Sequence, residues 1–413
     1  MLAARRTPTR MASSTPSWEV PTISDSPYTL LLMKSSLACG PSNYRSDGLG
    51  IEHHAAYTDV RRPELRRSQM SAWTMRAYVL TAPEEGSVQD VPAPVAGAGE
   101  VVVDVERVGI CGTDVEFFTG EMAYLHSGHA SYPMRLGHEW TGTVTSIGEG
   151  VDATWIGRRV MGDVMVGDGT CRRCQRGHQH MCDHRDEVGV RDGRPGALAE
   201  QIAVFARSLH ALPDSLDPVL GALVEPGGNS LRAAQAAALA HGDRALVLGP
   251  GTIGLLAAMF ARAAGAEVHL LGRGEESLAF ADSLGFTHAW TEDTLPNLPF
   301  DAVIDASNAA HLPALALELV EPAGRVVYIG LAGRPSMIDT RTLALKDVTA
   351  IGILSASPGL DDTIAAYATG AVDPRPLVAA TVGLHEVGAV LAGERPQGAG
   401  PGPKIHVDPR LAS

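Results

Sequence analysis

One set of residues in this chain combines side chains that suit transition-metal chemistry. A thiol, an imidazole and two carboxylates stand at three separate places in the sequence. They are Cys111, His138, Glu139 and Glu225. Thiolate, imidazole and carboxylate together form a borderline-soft ligand set that suits zinc. Three protein ligands with one open coordination position are typical of a catalytic zinc site, so the set predicts metal-assisted catalysis.

The surrounding segments predict the strands and turns that position these side chains. Residues 101–105 alternate like a strand, which leads into the turn containing Cys111. Another strand, 141–144, follows the imidazole. Pro226 can begin a helix, because its missing N–H is one that a helix start leaves unpaired, and this puts Glu225 at a helix entrance. A plain acid favoured there by the helix dipole is the alternative interpretation.

A glycine-rich turn later in the chain has the pattern of a dinucleotide-binding site. A strand at 244–248 leads into a G-x-G-x-x-G turn, which opens an Ala- and Leu-rich helix running to about residue 264. The expected cofactor-binding residues of this turn are Gly249, Gly251, Thr252, Ile253 and Gly254. The first glycine makes the turn, the second admits the pyrophosphate and the third lets helix meet strand. The phosphate then lies on the N–H groups of the helix N-terminus.

The end of the next strand decides between two cofactors. Residues 267–271 form this strand, and an NAD-dependent enzyme usually ends it with an acid that bonds the ribose 2′-hydroxyl. This chain instead has Gly272 followed by Arg273. The missing acid and the adjacent guanidinium favour NADP over NAD.

Strands alternating with helices in this half of the chain predict a parallel, doubly wound α/β sheet. Further strands are predicted at 301–305, 324–329 and 348–351, with a helix between the first two. After about residue 373 the chain is expected to return to the first lobe, which makes that lobe discontinuous. Strands of the first lobe are predicted at 75–80, 100–108 and 197–204.

Five motifs together resemble the zinc-dependent medium-chain dehydrogenases and reductases, most closely the polyol, sugar, threonine and aminocyclitol dehydrogenases. The motifs are GICGTD ending at Asp114, GHEWTGTV from Gly137, a cysteine lobe from Cys171, LVEP around Glu225 and the turn at Gly249. The resemblance covers the chain from Met75 onward. It implies a GroES-like, mainly β catalytic domain (75–234 and 376–413) and a Rossmann NAD(P)-binding domain (235–375). It also implies a homo-oligomer, a dimer or tetramer formed through the cofactor lobe.

The resemblance assigns metal-binding roles to the first set of residues. Cys111 and His138 are expected to be zinc ligands. Glu139 is the third ligand, or a carboxylate that swings on and off the metal. Glu225 is aimed at the zinc or at its bound water. For Glu139 the alternative is a charged residue at a strand start.

Two neighbours of Cys111 have expected roles beside the zinc. Thr113 is expected next to the zinc-bound substrate oxygen, where it relays a proton. Asp114 is expected to hold the imidazole in the right tautomer and orientation. For both, an ordinary turn with side chains bonded to backbone is the alternative. The following loop lines the substrate cleft in this family, so His126 and His129 are candidates for substrate contact, although most loop histidines are simply solvated.

Many family members also hold a structural zinc with four cysteines spaced x2, x2 and x7. This chain keeps Cys171, Cys174 and Cys182 and has Asp168 where the first cysteine belongs. An aspartate oxygen binds zinc at about 2.0–2.2 Å, so one aspartate and three cysteines are a reasonable ligand set. A redox-active Cys-x-x-Cys pair lacks a thioredoxin-like context. If Asp168 is only a surface residue, its replacement as ligand is expected among His178, His180 and His184.

These expectations together predict a zinc-dependent NAD(P) oxidoreductase. Its reaction interconverts a secondary alcohol (a polyol, sugar or cyclitol) and the carbonyl by hydride transfer, with the substrate oxygen in the open zinc position. Zinc lowers the pKa of bound water from about 15.7 to ~7 and acts similarly on an alcohol. One alternative is a zinc-free NADPH-dependent reductase of activated double bonds, against which Cys111, His138 and Glu225 argue. Another is a non-catalytic NADP-binding protein.

Composition excludes other classes of function. The 413 residues carry a formal charge of −14, which argues against nucleic acid as a partner, and no apolar run approaches the ~18 residues of a membrane span. With four cysteines assigned to metal, Cys39 has no disulfide partner, which favours a reducing, cytoplasmic compartment. Residues 1–74 lack periodicity and are interpreted as a disordered extension or an over-long start. An organellar transit peptide and a genuine tail are the alternatives.

Overall fold

A computed structural model gives the structure of residues 73–412. The predictions for residues 1–72, including the interpretation of this segment and of Cys39, lie outside the described residues. The first strand begins at Thr74, one residue before the predicted start at Met75.

Nine strands precede the cofactor sheet in the described chain. They are β1 (Thr74–Ala82), β2 (Glu85–Pro92), β3 (Glu100–Gly109), β4 (Glu139–Ile147), β5 (Arg159–Gly162), β6 (Met165–Val166), β7 (Asp186–Glu187), β8 (Gln201–Phe205) and β9 (Leu209–Ala211). β3 buries Val101, Val103 and Val105 and pairs antiparallel with both β4 and β8. β5 joins β4 to β9, while β1 and β2 form a separate hairpin. These strands form a mainly β lobe.

Six parallel strands form the cofactor sheet. They are β10 (Arg244–Leu248), β11 (Glu267–Leu271), β12 (Ala289–Trp290), β13 (Phe300–Asp305), β14 (Val320–Tyr328) and β15 (Thr349–Gly352). Their spatial order is β12-β11-β10-β13-β14-β15, and every neighbouring pair is parallel. This confirms the predicted doubly wound sheet, whose order reverses between β10 and β13. Ligands of such sheets bind at that switch point.

Ten α-helices of the described chain connect and cover the sheets. They are α1 (Gly112–Thr119), α2 (Ala123–Ser127), α3 (Pro218–Ala222), α4 (Val224–Ala237), α5 (Thr252–Ala263), α6 (Glu275–Ser283), α7 (Leu312–Leu319), α8 (Thr340–Leu345), α9 (Leu360–Ala368) and α10 (Val387–Leu391). α4, α5 and α9 share one apolar core with Val247 and Ile304 of the cofactor sheet. α7 packs with Leu246 and Leu248 in a second core. Because both faces are covered, β10 is apolar along most of its length rather than alternating.

After the cofactor sheet the chain returns to the mainly β lobe. There it forms β16 (Val378–Val382) and β17 (Lys404–Val407), and β17 pairs antiparallel with β3. The main sheet of this lobe has the order β16-β17-β3-β4-β5-β9, with β8 attached to β3. The N–H of Ile110 donates to the carbonyl of Ile405 at 3.0 Å, so β17 lies beside the turn that contains Cys111.

Several predicted element bounds are wrong. β4 and β14 begin before the strands predicted at 141–144 and 324–329, and two further differences lie nearer the site. The strand predicted at 197–204 is confined to β8, because the residues before it bond to separate segments: Ala197 N–H donates to the carbonyl of Gly137, and Glu200 N–H to that of Arg76. The helix predicted to begin at Pro226 begins instead at Val224, so Glu225 lies inside its first turn.

Candidate active site and metal centres

Cys111 lies between β3 and α1, at the N-terminus of that helix. Its backbone is extended, and its N–H donates to Asp114 Oδ2 at 2.9 Å. Asp114 is fully buried, and its Oδ1 accepts from the N–H of Gly137 at 3.3 Å. One carboxylate therefore ties the Cys111 turn to the segment that carries His138.

His138 is buried directly before β4. Its Nδ1 lies 3.4 Å from Asp114 Oδ1, an approach that falls short of hydrogen-bond geometry. Burial lowers the pKa of His138, but the neighbouring Asp114 and Cys111 outweigh it and raise that pKa well above its usual value. Anionic groups thus surround the ring, and a bound cation would experience the same favourable field.

Glu139, the first residue of β4, has both carboxylate oxygens occupied by one ammonium group. Lys404 Nζ donates to Oε1 at 2.8 Å and to Oε2 at 2.7 Å, and also to the carbonyl of Ile110 at 2.9 Å. The two side chains are 3% and 1% exposed. Sequence reasoning missed Lys404, which is 265 residues from Glu139 and belongs to no motif. A lysine within an apolar terminal strand was the available signal, because lysine is almost never buried without a partner.

Glu225 is buried in the first turn of α4, and the side chains around it shift its pKa. Burial raises the pKa of Glu225 to about 7, His138 opposes the rise and Glu139 adds to it. Asn229 Nδ2 donates to Glu225 Oε1 at 2.9 Å. Glu225 therefore lies within electrostatic reach of the other candidate ligands.

The donor atoms of Cys111, His138 and Glu139 all lie within 4.8 Å of one another. Ligands at about 2.0–2.3 Å from a shared zinc would have separations of this size, and the donor types are those zinc takes. Glu225 is not part of this tightest group. The residues present therefore fit a zinc ion, with Glu139 and Glu225 as the two candidates for the carboxylate ligand.

The other candidates near Cys111 are less constrained. Thr113 lies in the first turn of α1, partly exposed, and its hydroxyl has no hydrogen-bond partner within residues 73–412. His126 is exposed at the end of α2. His129 Nδ1 lies 3.2 Å from Arg191 Nη2, so this ring is engaged by a residue of a separate segment.

The cysteine loop brings its four predicted ligands together. The donor atoms of Asp168, Cys171, Cys174 and Cys182 lie within 4.8 Å of one another, and the cysteines are unpaired. Cys171 Sγ and Cys182 Sγ are 3.8 Å apart, too far for a disulfide. A tetrahedron with Zn–S bonds of about 2.3 Å has an edge of about 3.8 Å, so this distance fits zinc.

Asp168 is anchored by its own loop. Its Oδ1 accepts from the N–H of Cys171 at 3.0 Å and of Thr170 at 2.8 Å, which lowers the pKa of Asp168. The side chain is therefore held as an anion with Oδ2 not used by these backbone donors. The alternative histidines do not belong to the four-residue group.

A third group of metal-capable side chains lies on the cofactor lobe and has a structural explanation. His269 Nδ1 accepts from Trp290 Nε1 at 3.0 Å, so Nε2 carries the proton and donates to Glu267 Oε1 at 2.8 Å. Arg244 occupies both oxygens of the same carboxylate. His288 stacks on His269 with ring centroids 4.5 Å apart. Because the lone pairs are in use, these residues form a polar cluster rather than a metal site.

The glycine-rich turn connects β10 to α5 at the switch point of the sheet. Gly249 has a φ of +92°, which favours glycine. A Cβ on Gly254 would collide with the carbonyl oxygen of Gly249, whereas a Cβ on Gly251 would meet no described atom within 4 Å. Thr252 and Ile253 form the first turn of α5. The turn thus leaves open space at a helix N-terminus, as a pyrophosphate requires.

The two residues that follow β11 differ in their surroundings: Gly272 is closely packed, and Arg273 is exposed. A Cβ on Gly272 would lie 2.7 Å from Pro250 Cγ and 2.9 Å from Leu278 Cδ2, so close packing alone accounts for the absent acid. Arg273 is exposed and forms no ion pair with the residues that the structure describes. Its guanidinium is available to a ligand.

Comparison with known proteins places both lobes. Residues 97–214 match the family described as alcohol dehydrogenase GroES-like domain, and residues 252–369 match the one described as zinc-binding dehydrogenase. The 2-dehydro-3-deoxy-L-galactonate 5-dehydrogenase of Pseudoalteromonas atlantica is 31% identical, over 71% of this chain and 88% of that protein. The chain belongs to the zinc-type alcohol dehydrogenase family. The predicted resemblance, fold and enzyme class are confirmed: it is an NAD(P)-dependent oxidoreductase of the zinc-type dehydrogenases.

Other members of the family support the same assignment. The L-threonine 3-dehydrogenase of Coxiella burnetii is 30% identical, over 63% of this chain and 78% of that enzyme. A protein of Sinorhizobium meliloti described as a zinc-binding dehydrogenase and bound to NADP superimposes with a TM-score of 0.74. It is 28% identical, and the match covers 82% of this chain and all of that one. Within residues 73–412, no helix has the length and apolar character needed to cross a membrane.

Proposed function

We propose that this dehydrogenase interconverts the secondary alcohol of a polyol, sugar or cyclitol and the corresponding ketone. The observation that carries the proposal is the cluster of Cys111, His138 and Glu139 donor atoms within 4.8 Å, with Glu225 beside it. The named activities of the relatives act on a sugar acid and on threonine, both of which bear a secondary hydroxyl.

Cys111, His138 and a carboxylate would hold the catalytic zinc. When bound there, zinc acts as a Lewis acid that stabilises negative charge on the substrate oxygen. Between the two carboxylates, Glu225 is the better ligand, because Lys404 already occupies both oxygens of Glu139. Glu139 would bind metal only after leaving a buried ion pair, which is costly.

The neighbouring side chains orient the ligands and move the proton. Asp114 fixes the Cys111 turn and stands 3.4 Å from His138 Nδ1, where it favours the tautomer with hydrogen on that nitrogen. Thr113 lies two residues after Cys111 in the first turn of α1, and its hydroxyl has no protein partner in the described chain. It passes the alcohol proton toward solvent.

The residues at the switch point of the parallel sheet would hold the nicotinamide cofactor, which would supply the hydride acceptor. The N–H groups at the start of α5 hold the pyrophosphate beside Gly249 and Gly251. NADP is the favoured cofactor, because Arg273 is free to pair with a 2′-phosphate and no acid ends β11.

The remaining assignments follow the same reasoning. Asp168, Cys171, Cys174 and Cys182 hold a structural zinc. The catalytic domain comprises residues 75–234 and 376–413, and the cofactor domain comprises residues 235–375.

The enzyme is a cytoplasmic homo-oligomer, as its unpaired cysteines and one exposed edge of the cofactor sheet suggest. β15 is that edge, and Leu331, Met337 and Leu345 near it are each at least 75% exposed. Such an edge favours pairing with a second copy.

Turnover measurements with both cofactors test the proposal. Purified enzyme is assayed with a panel of polyols, sugars and cyclitols, with NADP and NAD, before and after removal of zinc by a strong chelator. The expected result is turnover that depends on zinc and has the higher kcat/KM with NADP. Turnover that survives complete zinc removal would exclude the zinc mechanism, and a higher kcat/KM with NAD would exclude the cofactor preference.

The Arg273→Ala variant should raise KM for NADP by about 10- to 100-fold and leave KM for NAD unchanged, since hydrogen bonds to charged groups contribute about 1.5–3 kcal/mol.

A further inference from the structure

The start of α4 contains the run Gly227-Gly228-Asn229, directly after the Glu225-Pro226 pair. A Cβ on Gly227 would collide with the hydroxyl of Tyr367 on α9, and a Cβ on Gly228 would lie 2.9 Å from Ala356 Cβ. Two glycines therefore allow α4 to pack closely on α9 and on the segment before it.

This close packing fixes the backbone that carries Glu225. Tyr367 is buried, and its hydroxyl donates to the carbonyl of Leu223 at 3.2 Å. The main chain on both sides of Glu225 is thus held against α9. Its side chain, however, has rotatable bonds that backbone packing does not fix.

Asn229 supplies a contact to that side chain. It lies one helical turn after Glu225, at the i,i+4 spacing that brings two side chains together on one helix face. Its Nδ2 donates to Glu225 Oε1 at 2.9 Å and to the carbonyl of Glu225 at 3.2 Å. The other carboxylate oxygen, Oε2, receives no hydrogen bond from residues 73–412.

We infer that Asn229 is a positioning residue that holds Glu225 with one oxygen occupied and leaves the other for the catalytic metal or its water. The inference rests on the metal-binding role proposed for Glu225. The two carboxylates of the site differ in this respect: Lys404 bonds both oxygens of Glu139, whereas Asn229 bonds one oxygen of Glu225. An amide donor brings no positive charge to the site, so the second oxygen of Glu225 faces no competing ammonium group.

The variant Asn229→Leu tests this, because leucine has a similar volume and no donor. The catalytic-site signal is defined as the zinc, or the absorption of substituted Co²⁺, that the Cys111→Ser variant loses. Asn229→Leu should weaken zinc binding at that site by about 10- to 100-fold and shift the Co²⁺ spectrum, as loss of a ligand-orienting hydrogen bond typically does. kcat should fall by a similar factor, with a smaller change in KM.

Two further variants separate the possible causes of a result. Gln235→Leu, on an exposed position of the same helix, is the matched control and should leave metal affinity unchanged. In the double variant Glu225→Gln/Asn229→Leu, the second substitution should add little to the first, because Asn229 acts through Glu225.

The outcomes distinguish this inference from the proposed function. If Glu225→Gln keeps wild-type zinc affinity, the ligand role of Glu225 is wrong. If Glu225→Gln weakens zinc binding but Asn229→Leu changes neither affinity nor the Co²⁺ spectrum, Glu225 is a ligand and the positioning role of Asn229 is overturned. A fall in Tm with unchanged metal binding would likewise reduce Asn229 to a structural residue.

Discussion

The two candidate zinc sites are built in opposite ways. The ligands of the cysteine loop come from a single segment, 168–182, on the surface of the mainly β lobe, and all four donor atoms already lie within 4.8 Å. The second candidate site, called the cleft site below, brings Cys111 together with His138 and Glu139, and Glu225 lies within electrostatic reach of them on a third segment. Most of these side chains are buried. In the first site the carboxylate of Asp168 is bonded only by backbone N–H groups of its own loop, through Oδ1, whereas in the second the side chains of Lys404 and Asn229 already bond the two carboxylates.

Under the proposed assignments, this difference is the one expected between a structural zinc site and a catalytic one. Four protein donors close a tetrahedral zinc site, while a catalytic site keeps one position open. In the proposed catalytic site, the ion pair with Lys404 would keep Glu139 off the metal and so preserve the open position. A closed site therefore needs only local geometry, but an open one needs partners that keep surplus ligands away.

Replacing Cys111 by Ser should have the largest effect. Removal of the thiolate from the cleft site should lower zinc content from two per subunit to one and reduce kcat by at least about 1000-fold, because the Lewis acid is lost. Elemental analysis of the purified protein and steady-state kinetics measure both. Two zinc ions retained in this variant would mean that the cleft site lies elsewhere.

Replacing Cys174 by Ser should damage stability rather than chemistry. The zinc of the loop is expected to be lost, and Tm should fall by about 10 °C, because structural zinc contributes directly to folding. The kcat per zinc-loaded cleft site should stay within about threefold of wild type, since the cleft is untouched. Calorimetry with active-site titration checks this. A kcat loss equal to that of Cys111→Ser would contradict a purely structural role for the loop zinc.

Replacing Lys404 by Met should release Glu139 to bind the metal, so that the cleft site becomes closed like the site of the cysteine loop. Breaking a buried ion pair costs about 3–5 kcal/mol, so the zinc-free protein should lose stability. Zinc should restore part of it, because the released Glu139 can then bind the metal, and kcat should fall about tenfold as the open position fills. Unfolding with and without zinc measures the stability change.

The control for this variant is Lys346→Met, whose Nζ bonds the backbone carbonyls of Leu317, Glu318 and Val320 away from the cleft. It should lose stability without any gain from cleft zinc. Equal zinc dependence in the two variants would rule out Glu139 as the released ligand.

Substitutions at Asp168 should have smaller effects, and they should show whether this residue is a zinc ligand or only a surface residue. Asp168→Ala removes one of four donors and should weaken zinc binding in the loop by about 10- to 100-fold, whereas Asp168→Cys should retain or strengthen it. Competition with a chromophoric chelator measures the affinities. Wild-type affinity in Asp168→Ala would assign the fourth position to another group.

Two buried histidines, His138 and His406, have pKa values shifted in opposite directions, and the second predicts a pH dependence of stability. His138, among anionic donors, has a raised pKa, whereas burial, Lys404 and Arg107 lower the pKa of His406 well below its usual value. Native His406 therefore stays neutral, while the unfolded chain takes up a proton below pH ~6.5. Stability from this group is present above that pH and is lost as the pH falls, by at most about 1.4 kcal/mol per unit.

The variant His406→Leu should remove this slope. Urea unfolding of both proteins at pH 7.5 and 5.5 measures it, and the loss of stability on acidification should be larger in the wild type. Equal losses would show that His406 titrates alike in the folded and unfolded chains.

The same local-versus-distant distinction explains what the sequence could predict. The cysteine loop, the glycine-rich turn and the parallel sheet are encoded in short spacings or periodic apolar runs, and the structure has them where expected. Lys404 could not be found that way, because its contact with Glu139 forms only when β17 pairs with β3. Asn229 lies at the i,i+4 position from Glu225, but every pair of residues one helical turn apart shares that spacing, so the sequence does not single this pair out.

The pairing of β17 with β3 has a consequence for how the protein is made. The ammonium group that neutralises Glu139 is 265 residues further along the chain. On a ribosome, β3 and β4 emerge early, and the whole cofactor lobe is synthesised before β17 appears. At about 5–20 residues per second, the nascent chain spends some 10–50 s with Glu139 lacking its counter-charge. If the cleft binds zinc as proposed, Glu139 would then be available to the metal throughout that interval, and zinc loading would precede the arrival of Lys404.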